Sequence, residues 1–321
     1  MRRRHFSMMI ASLSLPVASR AQAFPSKPIR LIVGFPPGGG IDFTAQAIKP
    51  ALEAALGQPV VIENRPGSGG VKAATELTQT APDGYTLLIA NTGPFAIAPH
   101  LGAKMPYDTA KQFSYVGQIA EASYIAATRA DNPAKNLKDF ADRAKAAPGK
   151  LSYASGGPGS STHLNGELLC STANIELQHV PYKGSAPAVQ DLIAGQVQLL
   201  IDSGTVLLPH IKSGKLKALA VTGAKRDPNL PNVATATEQG LAGMQSVGFQ
   251  GLVAPPGLPK DISDKLSEAL QKLVGSADIR AKFATVGSET HWRSPAEFAS
   301  YVKAENDKWS ALIQKRNIKA D

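Results

Sequence analysis

The 321-residue sequence contains a single cysteine, Cys170. One thiol excludes an intrachain disulfide and any zinc site built on cysteine pairs. Cys170 lies in an apolar helical run, Leu164 to Ala173, where a thiol behaves as a small core hydrophobe. The six histidines, His5, His100, His163, His179, His210 and His291, show no H-E-x-x-H spacing. No metal is therefore expected. Phosphate signatures are missing too: there is no Walker loop and no G-x-G-x-x-G. The nearest approach to a serine-hydrolase elbow, Gly67-Ser68-Gly69, has the wrong spacing. These absences remove the grounds for a cofactor or an enzymatic reaction, and neither is expected. Beyond residue 23 no apolar run reaches the ~18 residues of a membrane span. The formal charge is +9, with lysine and arginine scattered along the chain. That pattern is a mildly basic surface, not a nucleic-acid footprint.

What is present begins with a leader. Met1-Arg2-Arg3-Arg4-His5-Phe6 precedes a weakly apolar stretch, Ser7 to Val17, and then Ala21-Gln22-Ala23. A basic start, a short apolar region and a small-x-small site predict a signal peptide over residues 1–23. Arg3-Arg4, the weak apolar stretch and Arg20 near the cut point to twin-arginine export. The expected location is the periplasm. The new N-terminus would be Phe24, so no lipid anchor is attached there.

The remaining chain, about 300 residues, favours two domains. Strand patterns at Ile29–Gly34, Val60–Glu63, Thr86–Ala90, Leu151–Ala154, Gln178–Val180, Val197–Ile201 and Leu216–Val221 alternate with helical patterns. The helices are expected at Phe43–Leu56, Val71–Gln79, Leu137–Ala147, Thr162–Ala173 and Ala186–Ala194. Alternation of this kind predicts an α/β protein whose sheets are mostly parallel and flanked by helices. Tyr115–Thr128 and Ser246–Ala254 break the alternation and are read as two crossover strands joining the domains. Domain one would then comprise 24–125 plus 247–321, and domain two 126–246. Three closing helices, about Pro259–Val274, Ala277–Thr285 and Pro295–Gln314, are expected to pack on domain one. The last opens with Ser294-Pro295-Ala296-Glu297, a capping-box pattern with Pro at its first position. Trp292 and Trp309 are read as packing residues.

The segment Arg30–Gln46 carries the most chemistry. An apolar strand runs through Phe35-Pro36-Pro37 into Gly38-Gly39-Gly40-Ile41-Asp42, and a helix follows at once. Glycines clear side chains from the backbone, and a helix N-terminus offers unpaired N–H groups with the positive end of the dipole. Together they make an anion cradle without a basic side chain. Asp42 either caps this helix or faces the ligand. A second loop of the same kind is Ser155-Gly156-Gly157-Pro158-Gly159-Ser160-Ser161-Thr162, with hydroxyls able to donate to a carboxylate and either Ser160 or Ser161 able to cap the helix. Asn91 and Thr92 follow one strand, and Asp202 follows another. Asp202 either meets a ligand amine or hydroxyl or braces its loop. Loops beyond the carboxyl ends of parallel strands are where such sheets bind ligands. Asn64–Gly70 is read as a structural turn, Lys183 as an exposed lysine, and His163 as a packing residue at a helix start. Phe35 and Phe95 either support a ligand ring or wall the cleft.

In order along the chain, these loops resemble the extracytoplasmic solute-binding proteins of the tripartite tricarboxylate transporter family, the Bug proteins. The resemblance extends over Glu63-Asn64-Arg65-Pro66-Gly67-Ser68-Gly69-Gly70, Pro82-Asp83-Gly84-Tyr85, His179-Val180-Pro181-Tyr182-Lys183-Gly184, Leu208-Pro209-His210-Ile211-Lys212-Ser213-Gly214 and Ser294-Pro295-Ala296-Glu297-Phe298. It implies a two-domain, periplasmic-binding-protein-like fold with one organic anion in the cleft, held by backbone groups of Phe35–Asp42 and Ser155–Thr162. Gln46 departs from the family's common arginine, and Gln198 from its usual aspartate. The implied function is capture of a small carboxylate: a di- or tricarboxylate, an acidic amino acid or an aromatic carboxylate. The implied partner is a membrane permease, with a sensor kinase as the alternative and an enzyme of the same architecture as the more distant one. A monomer is expected.

Overall fold

The computed structural model describes residues 24–102 and 104–318. The leader expected at 1–23 lies outside the described residues. The first part of the chain alternates as expected: β1 (Ile29–Val33), α1 (Gly40–Leu56), β2 (Val60–Asn64), α2 (Val71–Thr78) and β3 (Thr86–Asn91). A single π-type turn, Gly93–Ile97, follows β3. The long strand β4 (Ser114–Arg129) comes next. Then come α3 (Leu137–Ala146), β5 (Ser152–Ser155), α4 (Ser161–Ala173), β6 (Gln178–Pro181), α5 (Ser185–Ala194), β7 (Leu199–Ser203), α6 (Gly204–Lys212) and β8 (Leu216–Val221). The chain closes with β9 (Val247–Ala254), α7 (Lys260–Val274), α8 (Ala277–Ala284), β10 (Ser288–Thr290) and α9 (Pro295–Arg316).

Two three-stranded parallel units, β2-β1-β3 and β6-β5-β7, form the outer parts of the sheet. Between them lie β9 and β4, and both run antiparallel to their neighbours. The sheets are therefore mixed, where mostly parallel ones were expected. Alternating burial looks alike in either strand direction, so pattern alone does not distinguish them. β4 serves both halves: Ser114–Ser123 pairs with β9, and Tyr124–Ala127 pairs with β7. The switch of partner falls between Ser123 and Tyr124, and it places Tyr124 at the junction of the two domains.

The strands read as they do because both faces are covered. In β1, Leu31 packs with Leu52 of α1 and Leu270 of α7 on one face, and Ile32 joins Ala74 and Leu77 of α2 on the other. Continuous apolar runs of this sort belong to sheets sandwiched between helices. The second half repeats the scheme, with Phe140 and Leu169 on one face and Val189 and Leu207 on the other. α1 ends where Gly57 adopts a left-handed conformation, φ 69°. The capping box of Ser294 and Glu297 opens α9. The three C-terminal helices pack on the first sheet, as expected: Leu266 and Leu270 join the core beneath β1, while Phe298 and Trp309 join Phe249 on the opposite face. Burying one such aromatic contributes about 1.5–3 kcal/mol.

Two short elements were not anticipated. α6 carries Pro209 inside it, which argues against a helix on local grounds. β10 has three residues and exists only by pairing with β4.

Candidate ligand-binding cleft

One cavity lies between the two halves of the sheet and encloses about 800 Å³ of space, solvent at its mouth included. Four helices begin at its wall. Gly39, Gly40 and Ile41 bring the start of α1, and Ser160, Ser161 and Thr162 the start of α4. Gly184, Ser185 and Ala186 bring the start of α5, and Ser203 stands at the N-cap of α6. Only α4 has a capping side chain: Ser160 Oγ accepts from the His163 N–H at 3.3 Å. Gly39, Gly184 and Ser203 cap α1, α5 and α6 without a side-chain hydrogen bond. Uncapped first-turn N–H groups with the dipole behind them attract an anion. Among the described lining residues only Asp202 and Lys183 carry charge, and Lys183 is exposed. The electropositive character of the interior thus comes from backbone.

The floor is built by the crossing strands. Tyr124 of β4 and Phe249 and Gln250 of β9 line the cavity beside Asn91 and Thr92. Phe249 donates its N–H to Thr92 Oγ1 at 3.1 Å, which joins the end of β3 to β9. The Tyr124 ring occupies the space a Cβ at Gly248 would need, 2.2 Å from the tyrosine oxygen. Burial pushes the Tyr124 hydroxyl up to about 12; the Ser161 and Thr92 hydroxyls oppose this, and the Asp202 carboxylate adds to it. Tyr124 is therefore a neutral donor at the base of the site. Gln250 is held through its contact with Thr44 of α1.

Asp202 is the penultimate residue of β7 and is 5% exposed. Its Oδ1 accepts from the Ser203 N–H at 2.7 Å. Its Oδ2 is buried without a hydrogen-bond partner among the described residues. Burial pushes the carboxyl up to about 6, against the pull of the Ser185 and Ser203 groups beside it.

The sequence profile of the tripartite tricarboxylate transporter family receptor matches residues 44–318. The chain belongs to this family. The receptor is also similar to the UPF0065 protein in the tcbD-tcbE intergenic region of Pseudomonas sp. (strain P51), 36% identical over 305 residues, which are 95% of this chain and 90% of that protein. Among solved structures it is similar to a Rhodopseudomonas palustris protein with adipate: 32% identity, TM-score 0.89, covering 92% of this chain and 99% of that one. MatC of Rhodopseudomonas palustris, solved with bound malate, is 33% identical with a TM-score of 0.86, covering 90% of this chain and 100% of that one. The fold is the two-domain one of periplasmic binding proteins, and the receptor is a solute-binding protein, not a catalyst. It takes a small organic anion and works with the membrane components of a tripartite transporter.

Of the residues singled out in the sequence, Phe35, Pro36, Gly39, Gly40, Asn91, Thr92, Gly156, Ser160, Ser161, Thr162 and Asp202 line the receptor's cavity. Gly38, Asp42, Ser155 and Gly157 do not. Asp42 accepts from the Gly38 N–H and from Asn64 Nδ2, each at 3.0 Å, so its side chain braces the cradle from behind. Ser155 Oγ pairs with His179 Nε2 at 2.6 Å and accepts from the Gly157 N–H. The hydroxyls of the second loop are also turned inward. Ser160 Oγ donates to the Gly157 carbonyl at 2.6 Å, and Thr162 Oγ1 accepts from the Gly156 N–H at 2.8 Å. These contacts use the N–H groups of Gly156, Gly157 and Gly159 to shape the loop, and the Ser161 and Thr162 N–H groups at the start of α4 remain for an anion. Phe95 is fully buried against Phe113 and walls nothing; Phe249 stands in the cleft instead. His163 stacks on His179 with ring centroids 4.0 Å apart, beneath the loop. Reading loops alone missed Tyr124, Phe249 and Gln250, because strand alternation does not say which face meets a cleft.

Proposed function

We propose that this receptor captures a small organic carboxylate in the cleft between its domains and presents it to a tripartite tricarboxylate permease from the periplasm. The domains we assign are 24–125 with 247–321, and 126–246, after removal of a twin-arginine leader over 1–23. The observation that carries the reading is the meeting of four helix N-termini, three without a side-chain cap, on one cavity with no buried basic side chain among its described lining residues. Adipate and malate in the two Rhodopseudomonas palustris structures support a dicarboxylate of that size.

Magnitudes explain why two domains are needed. A helix terminus contributes about 0.3–1 kcal/mol when exposed and up to ~2 when partly buried. A micromolar ligand needs about 8 kcal/mol. One cradle falls short, and opposed cradles with several hydrogen bonds reach it. We assign ligand contact to the backbone of Gly39, Gly40 and Ile41, to the start of α4 at Ser161 and Thr162, and to Asn91, Thr92 and Tyr124. Phe35 and Pro36 form an apolar edge. A thermal-shift screen against dicarboxylates, tricarboxylates, acidic amino acids and aromatic carboxylates tests this. Stabilisation by at least one group supports it, and none by any of them refutes it.

A further inference from the structure

Asp202 is out of place in a cleft made for anions. A carboxylate that is 5% exposed gives up its hydration for the Ser203 N–H and the pull of the Ser185 and Ser203 hydroxyls, and its Oδ2 stays buried without a partner among the described residues. It also lines the cavity into which the helix N-termini point. We propose that Asp202 determines ligand specificity: its free Oδ2 accepts a hydrogen bond from a hydroxyl or ammonium group on the bound acid. The cleft then selects hydroxy- or amino-substituted carboxylic acids over their unsubstituted parents. This rests on the carboxylate-capture reading above and names the class of acid.

The geometry makes the site bipolar. Backbone N–H groups at Gly40 and Ile41 and at Ser161 and Thr162 favour carboxylate oxygens. Asp202 repels a carboxylate and favours a donor. A ligand with both groups is oriented by the pair, its acid toward α1 and α4 and its hydroxyl or ammonium toward β7. Local groups do not do the ligand's work. Oδ1 is already engaged with the Ser203 N–H, and the Ser185 and Ser203 hydroxyls that pull on the carboxyl leave Oδ2 without a partner among the described residues. An unsubstituted diacid of the same length would leave the buried oxygen unpaired, which costs on the order of 10- to 100-fold in affinity.

The test is calorimetric titration at pH 7.5 with matched sets: succinate against malate and aspartate, and glutarate against 2-hydroxyglutarate and glutamate. Wild-type protein is expected to bind a substituted acid at least about 10-fold tighter than its parent. Asp202→Asn is expected to shrink that ratio to within about threefold while still binding the parent, which also reports that the variant is folded. Parents bound as tightly as their substituted forms by the wild type, or an undiminished ratio in Asp202→Asn, would overturn the proposal while leaving carboxylate capture standing. Binding of none of these acids to wild-type protein overturns the proposal, and carboxylate capture falls with it only if the thermal-shift screen of all four groups is also negative. Should the variant fail to fold, the wild-type ratios decide alone.

Discussion

Gly69 and Pro158 meet backbone to backbone where the two halves of the molecule approach each other: a Cβ built on Gly69 would stand 2.9 Å from the Pro158 carbonyl oxygen. One belongs to the turn after β2, the other to the loop before α4. Gly69 is also left-handed, with φ 60°. Gly69→Ala therefore strains the backbone and pushes the loop before α4 away. Gly38, φ 86°, has nothing within 4 Å of its would-be Cβ. Gly38→Ala carries only the left-handed strain of about 1–2 kcal/mol. Calorimetry with whichever acid the screen identifies should show Gly69→Ala weakened by about tenfold or more and Gly38→Ala by less than about threefold. Equal effects would show that this approach plays no part in binding.

Gly39 separates folding from binding. It is the N-cap of α1, its φ of −88° suits any residue, and a Cβ there meets only the Pro36 carbonyl at 3.9 Å. Gly39→Asp supplies the missing cap and an acid at the dipole's positive end, worth a few tenths to about 1 kcal/mol. The same carboxylate occupies the anion's place. The ligand-free variant is expected to melt at or slightly above the wild-type temperature and to lose binding by about 100-fold or more. Retained affinity would remove the α1 terminus from the site.

The Asp202 carboxyl titrates near 6 in the folded chain and near 3.9 when unfolded. Between those values the folded state holds the extra proton, so unfolding releases it and stability falls as pH rises. The penalty is fully present above about pH 6 and amounts to about 3 kcal/mol. Urea unfolding of ligand-free Asp202→Asn should therefore show a gain of about 1–3 kcal/mol at pH 7.5 that fades toward pH 4. A constant difference at both pH values would place the charge elsewhere.

Cys170 is buried in α4, and burial pushes its thiol up to about 12. Native protein should react with an aromatic disulfide reagent only as fast as it unfolds, and completely in denaturant. Rapid native labelling would show α4 to be open.

Much of the architecture was visible in the sequence because each element announces itself locally. β1 and β3 are mainly apolar, α1 stops at Gly57, and Ser294 with Glu297 opens α9. The cradle was legible for the same reason: three glycines before a helix leave few other purposes. The rest depends on contacts distant in the chain. The antiparallel insertion of β4 and β9 leaves no mark in alternation. Tyr124 faces the cleft because β4 changes partner there, and Gln250 because β9 lies between β3 and β4. Asp42 and Ser160 looked like ligand groups because their chemistry suits anions or helix ends equally. Only the positions of Gly38, Asn64 and Gly157 show that both are occupied with the loops themselves.

The most direct test of the central claim is a crystal structure of the protein with malate or adipate bound. The prediction is a ligand in the interdomain cavity, with carboxylate oxygens accepting from N–H groups in the first turns of α1 and α4 and no basic side chain in direct contact. A ligand seated outside that cavity, or a carboxylate held by Lys183 while those N–H groups face water, would contradict it.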